Sequence, residues 1–538
     1  FLFRVFIIAN YKIKFMNISK ISILHPFLFA IFPIIHLYSI NFIEVPMDDI
    51  IFPMFVSILV TGSLFFLSQI ILKDWTKSSL IVSLLLVLSF SYGHIYHLLN
   101  GMVLEDFEIV RHRYLMVVFL VIFIIGTIAI VKTQIKFNNL NKIITAIAIT
   151  LILITMPSFV YAGTSTLEIS DDIQVQTVDD IQVQNLGIPY ELKNTTKLNS
   201  TEKPDIYYIL LDGYGGAKRM KQDLNFDNYE FLSELTNRGF FAPDSSSGNY
   251  PSTKWQMTSI FSMNYLPSKE KEQSDQEYYS SIIGIFKTNE VMRNFHHLNY
   301  EIINFQPKGF ITQQFLFNDQ TFCQQEQLKQ SKFTKMLLRT TILNYLNNQI
   351  VVNAYRETIL CGFSEISNLT EKNDKPIFVY MHLAFPHPPY VFGPNGEYVW
   401  GGKVQTEEGS FVDEEKYVDS IKFANKKTLE VIENILRNNE NSIIIIQSDH
   451  GYDFGINYEN PSDVSLKQRF STLNAIYFPD QNQDILYDGI TPVNTFRIVF
   501  NEYFNASYPI LDDRMYYHPY GVTGVNTDVK FRDVTEII

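Results

Sequence analysis

Cysteine is almost absent from this chain, with two in 538 residues. That excludes a disulfide-stapled scaffold and a Cys-rich zinc module, both of which need several thiols at short spacings. Positive charge is also short: Lys and Arg number 43 against 56 Asp and Glu, a net charge of −13. Affinity for nucleic acid rests on Lys and Arg neutralising phosphates, and no arginine-rich helix or finger spacing offsets the deficit. Nucleic acid is not an expected partner. The two thiols, Cys323 and Cys361, stand in unrelated contexts. They either close one disulfide or remain separate, and the sequence leaves both open.

What is present is unevenly distributed. Mean hydropathy is +0.02, but the first 162 residues carry five apolar stretches, near Ile23–Val45, Ile51–Leu72, Leu80–Leu99, Leu115–Val131 and Ile143–Ala162. A bilayer core about 30 Å thick needs about 20 apolar residues, and only the fourth stretch falls at the low edge. Residues 1–162 therefore read as a five-span transmembrane domain. Arg4, Lys12, Lys14 and Lys20 precede the first stretch; Lys73 and Lys77 follow the second; Lys132, Lys136 and Lys142 follow the fourth. The loop after the first is acidic (Glu44, Asp48, Asp49). Basic residues mark the cytoplasmic side, so the N-terminus is expected in the cytoplasm and everything after Ala162 outside. Glu105, Asp106 and Glu108 against Arg111 and Arg113 make the loop after the third stretch mixed. His94 and His97 near the outer end of the third stretch read as interfacial histidines. The chain begins at Phe1, with Met16 a candidate initiator, and Val160-Tyr161-Ala162 before Gly163 resembles a signal-peptidase site.

Residues 163–203 read as a linker. Asp-Asp-Ile-Gln-Val-Gln occurs at 171–176 and again at 179–184, a period too short for a folding repeat, and Asn194-Thr195-Thr196 is a formal glycosylation acceptor. From Pro204 to Ile538 strand-like runs (Ile206–Leu211, Glu301–Asn304, Ile377–Leu383, Ile443–Gln447, Asn474–Phe478) alternate with helical ones (Asn228–Arg238, Thr253–Met263, Glu414–Asn438, Pro492–Tyr503). Such alternation predicts one α/β domain with a largely parallel sheet and helices on both faces.

Four segments at strand ends or helix starts can carry chemistry. Asp212-Gly213 follows the first run, and Asp449-His450 follows Ile443–Gln447. Carboxylate and imidazole there suit a divalent metal such as Zn²⁺ or Mn²⁺, or equally a turn and a buried structural pair. Gly248-Asn249-Tyr250-Pro251-Ser252-Thr253 runs into a helix; a hydroxyl at such a terminus is an N-cap, or a nucleophile beside an oxyanion site. His382 and His387 follow the strand Ile377–Met381 and fit substrate contact, a second metal, or plain packing.

The order of these blocks resembles the alkaline phosphatase superfamily, in particular its membrane-anchored, sulfatase-like branch with lipoteichoic acid synthases and lipid A phosphoethanolamine transferases. The resemblance spans roughly Pro204 to Tyr503, includes the late blocks Arg469–Ala475 and Pro492–Thr495, and extends to the five-helix anchor. It implies an alkaline-phosphatase-like fold, one divalent metal on Asp212, Thr253, Asp449 and His450, and Thr253 as nucleophile. It assigns His382 and His387 to substrate phosphate or to a second, weaker metal. Ser252 is the rival nucleophile. True sulfatases carry Cys/Ser-x-Pro-x-Arg for conversion to formylglycine; here the stretch is Asn249-Tyr250-Pro251-Ser252-Thr253, which argues against that chemistry. No Asp-x-x-x-His segment for a second zinc precedes Asp449.

The resulting expectation is a membrane-anchored, metal-dependent phosphoryl or phospho-alcohol transferase acting on envelope lipids or glycans through a covalent Thr ester. A hydrolase of phosphate or sulfate esters with the same site is the alternative, and a non-catalytic outer binding domain the third reading.

Overall fold

The protein is described here by a computed structural model covering residues 22–41, 45–99, 103–104, 107–108, 112–172, 203–269, 273, 275–305, 315–323, 331–369, 375–399, 413–518 and 531–538. The chain forms two compact units. The first comprises Phe1–Gly187 with Leu328–Val351, and the second Ile188–Gln327 with Val352–Ile538.

The first unit holds helices α1 (His25–Asn41), α2 (Ile51–Leu72), α3 (Trp75–Leu99), α4 (His112–Lys132) and α5 (Asn138–Asp172). Four stretches are long and apolar enough to cross a membrane: Met47–Leu72, Trp75–Tyr96, Tyr114–Lys132 and Asn138–Val160. The shorter α1 is apolar too, with 17 residues. Outward side chains confirm the medium: Phe52 is 71% and Ile71 77% exposed, a surface that suits hydrocarbon and not water. Buried polar groups pair with one another between the helices. His25 Nδ1 lies 2.5 Å from the Ser83 hydroxyl, and its Nε2 lies 3.2 Å from Asn141 Oδ1. Asn141 in turn donates to Ser79 Oγ at 3.1 Å. Interhelical bonds of this kind hold helices together where no hydrophobic force does.

α5 runs on to Asp172, past the expected boundary at Ala162, so Val160–Gly163 lies inside a helix. His94 is exposed on α3. The expected repeat beyond Asp172, the Asn194 acceptor, Met16, the N-terminal basic residues, Glu44, Glu105, Asp106, Arg111 and the His97 side chain lie outside the described residues.

The second unit is built on six strands: β1 (Asp205–Leu211), β2 (Glu301–Phe305), β3 (Gln320–Phe322), β4 (Ile377–Leu383), β5 (Ser442–Gln447) and β6 (Asn474–Tyr477). Their order is β6-β5-β1-β4-β2-β3, and all pairs are parallel except β6 with β5. Every residue of β4 and β5 is buried, which explains the apolar runs Ile377–Met381 and Ile443–Ile446 within them. Alternate residues serve opposite faces. Tyr207, Ile209 and Leu211 join Val379, Met381, Ile444 and Ile446 in one core. Ile206, Tyr208 and Leu210 join Phe378, Tyr380, Ile443 and Ile445 in the other.

Helices cover both faces, as the alternation predicts. α6 (Thr253–Ser262) contributes Met257, Ile260 and Phe261 to the second core. α7 (Glu414–Asn438) contributes Tyr417, Ile421, Val431, Ile432 and Ile435 to the first, a helical spacing. Asp413 caps α7 by accepting from Lys416 N, and Glu414 and Glu415 favour its positive end.

Cys323 and Cys361 form a disulfide with Cα atoms 5.7 Å apart. That resolves the alternatives left open by the sequence. Replacing Cys361 by Ser should cost about 2–4 kcal/mol of stability, because the unfolded chain regains the freedom of the closed loop. Thermal unfolding checks this; an unchanged midpoint would count against the bond.

Candidate functional site

Three neighbouring parallel strands, β5, β1 and β4, end side by side. Leu210 pairs with both His382 and Gln447, and Leu211 with Leu383. The residues just beyond these ends therefore converge, as at the carboxyl edge of open α/β sheets. Asp212 follows β1, Asp449 and His450 follow β5, and His387 follows β4.

The turns that aim them need small residues. Gly213 has φ +75°, a conformation that strains other residues. Its N–H donates to Asp449 Oδ1 at 3.1 Å, and His450 N donates to the same oxygen at 2.9 Å. A Cβ on Gly451 would stand 2.1 Å from the Gln468 carbonyl oxygen and 2.4 Å from that of Ser471.

The second Asp449 oxygen faces the start of α6. The Thr253 hydroxyl donates to Asp449 Oδ2 at 2.5 Å. Ser252, in the N-cap position, makes no side-chain cap bond, and its buried Oγ has no hydrogen-bond partner. Neither hydroxyl caps the helix.

The loop before α6 is held from several sides. Asn249 Nδ2 donates to Thr491 Oγ1 at 2.8 Å and to the Arg514 carbonyl at 2.9 Å, while its Oδ1 accepts from Val493 N at 2.9 Å. Tyr250 N donates to Gln256 Oε1 at 2.7 Å. Arg469, almost fully buried, donates from Nε to the Pro251 carbonyl at 2.6 Å and lies 3.4 Å from Asp453 Oδ2. It joins the loop bearing Thr253 to the segment after His450. The sequence placed Arg469 only in a late block, because its role depends on a partner 218 residues away.

The histidines take fixed tautomers. His450 Nδ1 lies 2.9 Å from the Gly451 carbonyl, and His387 Nδ1 lies 2.8 Å from the Pro388 carbonyl. A carbonyl only accepts, so each Nδ1 carries the proton. Burial, reinforced by Arg469, pushes the His450 pKa down despite Asp449 and Asp212, which favours the neutral ring. Its bare Nε2 then lies 3.5 Å from Asp212 Oδ1 and 3.4 Å from Asp449 Oδ2. A lone pair facing two carboxylate oxygens is repulsive unless a cation lies among them. Asp212 Oδ1 is buried without a hydrogen-bond partner.

Burial alone would raise the Asp212 carboxyl, but His387, then His382 and His450, hold it below the ordinary range. A cation held among these residues would act on it in the same direction. One ligand atom each from Asp212, His387 and His450 lie within 4.8 Å of one another. Carboxylate oxygen and imidazole nitrogen suit a borderline divalent ion, so the residues fit a metal.

The structure separates the two histidines that the sequence treated alike. His387, half-buried, groups with the cation donors. His382 is fully buried, with Nε2 3.4 Å from Asp212 Oδ2, and supports that carboxylate from within the sheet. The sequence cannot reveal this difference; it follows from strand register. Replacing His450 by Ala should weaken Zn²⁺ or Mn²⁺ binding by about 100-fold or more, and His382 by Ala by roughly 10–100-fold as an outer-shell partner. Titration calorimetry on the full chain measures both, and equal affinity in the His450 variant would refute the donor set.

Residues 204–501 match the sulfatase family. A search among curated proteins gives no match. Among solved structures, the chain is similar to the C-terminal periplasmic domain of EptC from Escherichia coli, at 13% identity, covering 63% of this chain and 94% of that one, with a TM-score of 0.40. The integral membrane lipooligosaccharide phosphoethanolamine transferase A from Neisseria meningitidis gives 12% identity, 89% and 94% coverage and a TM-score of 0.35. A sulfatase-type protein from Bacteroides thetaiotaomicron gives 10%, 58%, 73% and 0.36. The family match covers more than half of the chain, and the protein thus belongs to the sulfatase family, as a sulfatase-like enzyme of the alkaline phosphatase superfamily.

Proposed function

We propose that this chain is a membrane-anchored transferase of phosphoryl or phospho-alcohol groups, acting on envelope lipids or glycans through a covalent ester on Thr253. The observation that carries the reading is the Thr253 hydroxyl on Asp449 Oδ2 at 2.5 Å, beside the donor set of Asp212, His387 and His450. In this reading α1 joins the four longer helices as a fifth span, the N-terminus is cytoplasmic, and residues 204–538, apart from the 328–351 segment that packs with the membrane unit, form an extracytoplasmic catalytic domain beyond a linker that follows α5. The Lys and Arg distribution supports that orientation, and so does the disulfide, which persists in oxidising compartments.

Asp212, Asp449 and His450 would hold one divalent ion, Zn²⁺ or Mn²⁺, together with Thr253 and with His387 as a further donor. When bound, the ion supplies Lewis acidity and lowers the pKa of a coordinated hydroxyl. The chain's own groups do the rest. Asp449 orients the Thr253 hydroxyl and receives its hydrogen at Oδ2. Gly213 N–H and His450 N–H fix Asp449 in turn. Thr253 Oγ1 forms a bond to phosphorus as the bond to the leaving alcohol oxygen breaks; that oxygen takes a proton from water, and the proton received by Asp449 passes to the hydroxide so formed. A second alcohol, or water, then displaces Thr253 and returns the proton balance. The α6 N-terminus offers N–H groups and a positive dipole end to non-bridging oxygens. His382 acts through Asp212.

Formylglycine chemistry is disfavoured, because both cysteines are in the disulfide and the serine of the loop, Ser252, follows Pro251 and is not in a Ser-x-Pro-x-Arg arrangement. The test uses the purified full chain with Mn²⁺ or Zn²⁺, a generic phosphodiester and a sulfate ester. A phosphoryl adduct on Thr253 by mass spectrometry is expected, and an adduct on Ser252, or none with any substrate, would overturn the site. Thr253→Ala should lower turnover by on the order of 10⁴-fold. Acceptance of a second alcohol, measured as transfer against hydrolysis, distinguishes a transferase from a hydrolase.

A further inference from the structure

Residues 328–351 fall within the catalytic stretch by sequence but belong to the membrane unit by packing. Their described part begins at Ser331, whose hydroxyl accepts from Thr334 N at 3.2 Å and caps the helix Lys332–Thr340. This helix is amphipathic: Phe333, Met336 and Leu337 lie along one stripe, with Lys335 and Arg339 beside it. Phe333, fully buried, and Leu337 pack with Ile34 and Tyr38 of α1, with Val45 and Ile50, and against Phe90 and Phe159. Ile342 packs beside Tyr92, Leu115 and Phe119.

Two details show that α3 is shaped to receive this segment. Ile342 N donates to the Ser89 carbonyl at 3.0 Å. At Gly93 a Cβ would stand 2.0 Å from the Arg339 carbonyl oxygen and 2.6 Å from Thr340 Cα, so only glycine lets the two backbones meet. At a helical rise of about 1.5 Å per residue, Ser89 lies about 10 Å inside the end of the apolar stretch at Tyr96. Backbone at such a depth needs its own hydrogen bonds, and it has them: Thr341 N donates to Leu338 O at 3.1 Å and Asn344 N to Thr341 O at 3.0 Å.

We infer that Ser331–Asn344 is a re-entrant docking element, seated on Ser89 and Gly93, through which the catalytic chain is anchored in the bilayer a second time. The Cys323–Cys361 bond clasps the chain on either side of the excursion. The catalytic unit is then tethered by three chain passages and not one. This matters for a lipid-borne substrate, and to that extent the inference rests on the function proposed above: a second tether raises the effective concentration of the site at the membrane surface.

Hydrogen exchange on the wild-type chain in nanodiscs tests the seat directly. The Ile342 amide should exchange at least about 100-fold more slowly than in a free peptide of the same sequence, and exchange at the peptide rate would overturn the inference. Trypsin adds a second readout with Gly93→Ala and Phe333→Ser. Alanine is the better helix former, so faster cleavage at Lys335 and Arg339 in Gly93→Ala reports lost seating and not a weakened α3. The cut pieces remain joined by the disulfide and separate only on reduction. Cleavage no faster than in wild type overturns the seat.

Turnover supplies the third arm. In Gly93→Ala, hydrolysis of bis(p-nitrophenyl) phosphate should stay within about twofold, while release of diacylglycerol from phosphatidylethanolamine–phosphatidylglycerol vesicles falls about tenfold. Equal loss on both substrates overturns the coupling. Wild-type chain inert on both would sink the proposed function, while the exchange result would still decide the docking.

Discussion

The rest of the site depends on negative charge held away from water. Asp212 and Asp449 are both buried, Asp453 stands half-buried beside them, and Arg469 is the cation that faces this group. Among the described residues, three carboxylates face one guanidinium in a region of low dielectric. Isolated charges there are costly, and groups in that position acquire partners or become neutral. Each local feature answers this constraint. Asp449 Oδ1 is satisfied by two backbone N–H groups and Oδ2 by the Thr253 hydroxyl. The imidazoles turn their protons outward to carbonyls and their lone pairs inward. A divalent ion, as proposed above, would neutralise the remainder. Without one, the arrangement concentrates acceptors that have no donors.

The same constraint explains why the sequence was readable where it was. A carboxylate can reach a common point from three strands only if these are adjacent and parallel, and each must then be buried on both faces. That burial writes itself as Ile443-Ile444-Ile445-Ile446 and as Ile377–Leu383, so strand positions and the four blocks beyond them were visible as runs of apolar residues with polar ends. α7 was legible to the residue because an Asp cap, an acidic first turn and a 3–4 spacing coincide.

What stayed hidden shares one physical origin, contact between residues remote in the chain. His382 and His387 look equivalent in sequence, and register alone puts one behind Asp212 and the other among the donors. Arg469 matters through a carbonyl in the loop before α6. The disulfide required two thiols to come within bonding range, which no spacing predicts. Lys332–Thr340 is absent from the helical runs read in the sequence, and its apolar stripe is no wider than surface helices of soluble domains carry. Its partners on α1 lie some three hundred residues earlier.

In the function proposed above the loop before α6 bears the nucleophile, and its contacts give a reason for where reactivity would lie in it. The stretch Asn249-Tyr250-Pro251-Ser252-Thr253 has neither the cysteine nor the arginine of the Cys-x-Pro-x-Arg pattern. Asn249 is fully buried, and three hydrogen bonds tie its amide to Thr491, Val493 and Arg514. It has become a bracket. The hydroxyl that points at the carboxylate cluster belongs instead to the first residue of α6, where the peptide dipoles favour developing negative charge. An ester on such a hydroxyl lacks the self-cleaving hydrate of formylglycine, so it must be discharged by an incoming oxygen on the open side of the site. A stable intermediate awaiting an acceptor is the natural partner of group transfer. On the function proposed above, a chain with this loop, sited at a membrane, would pass a phosphoryl group from one alcohol to another rather than strip sulfate.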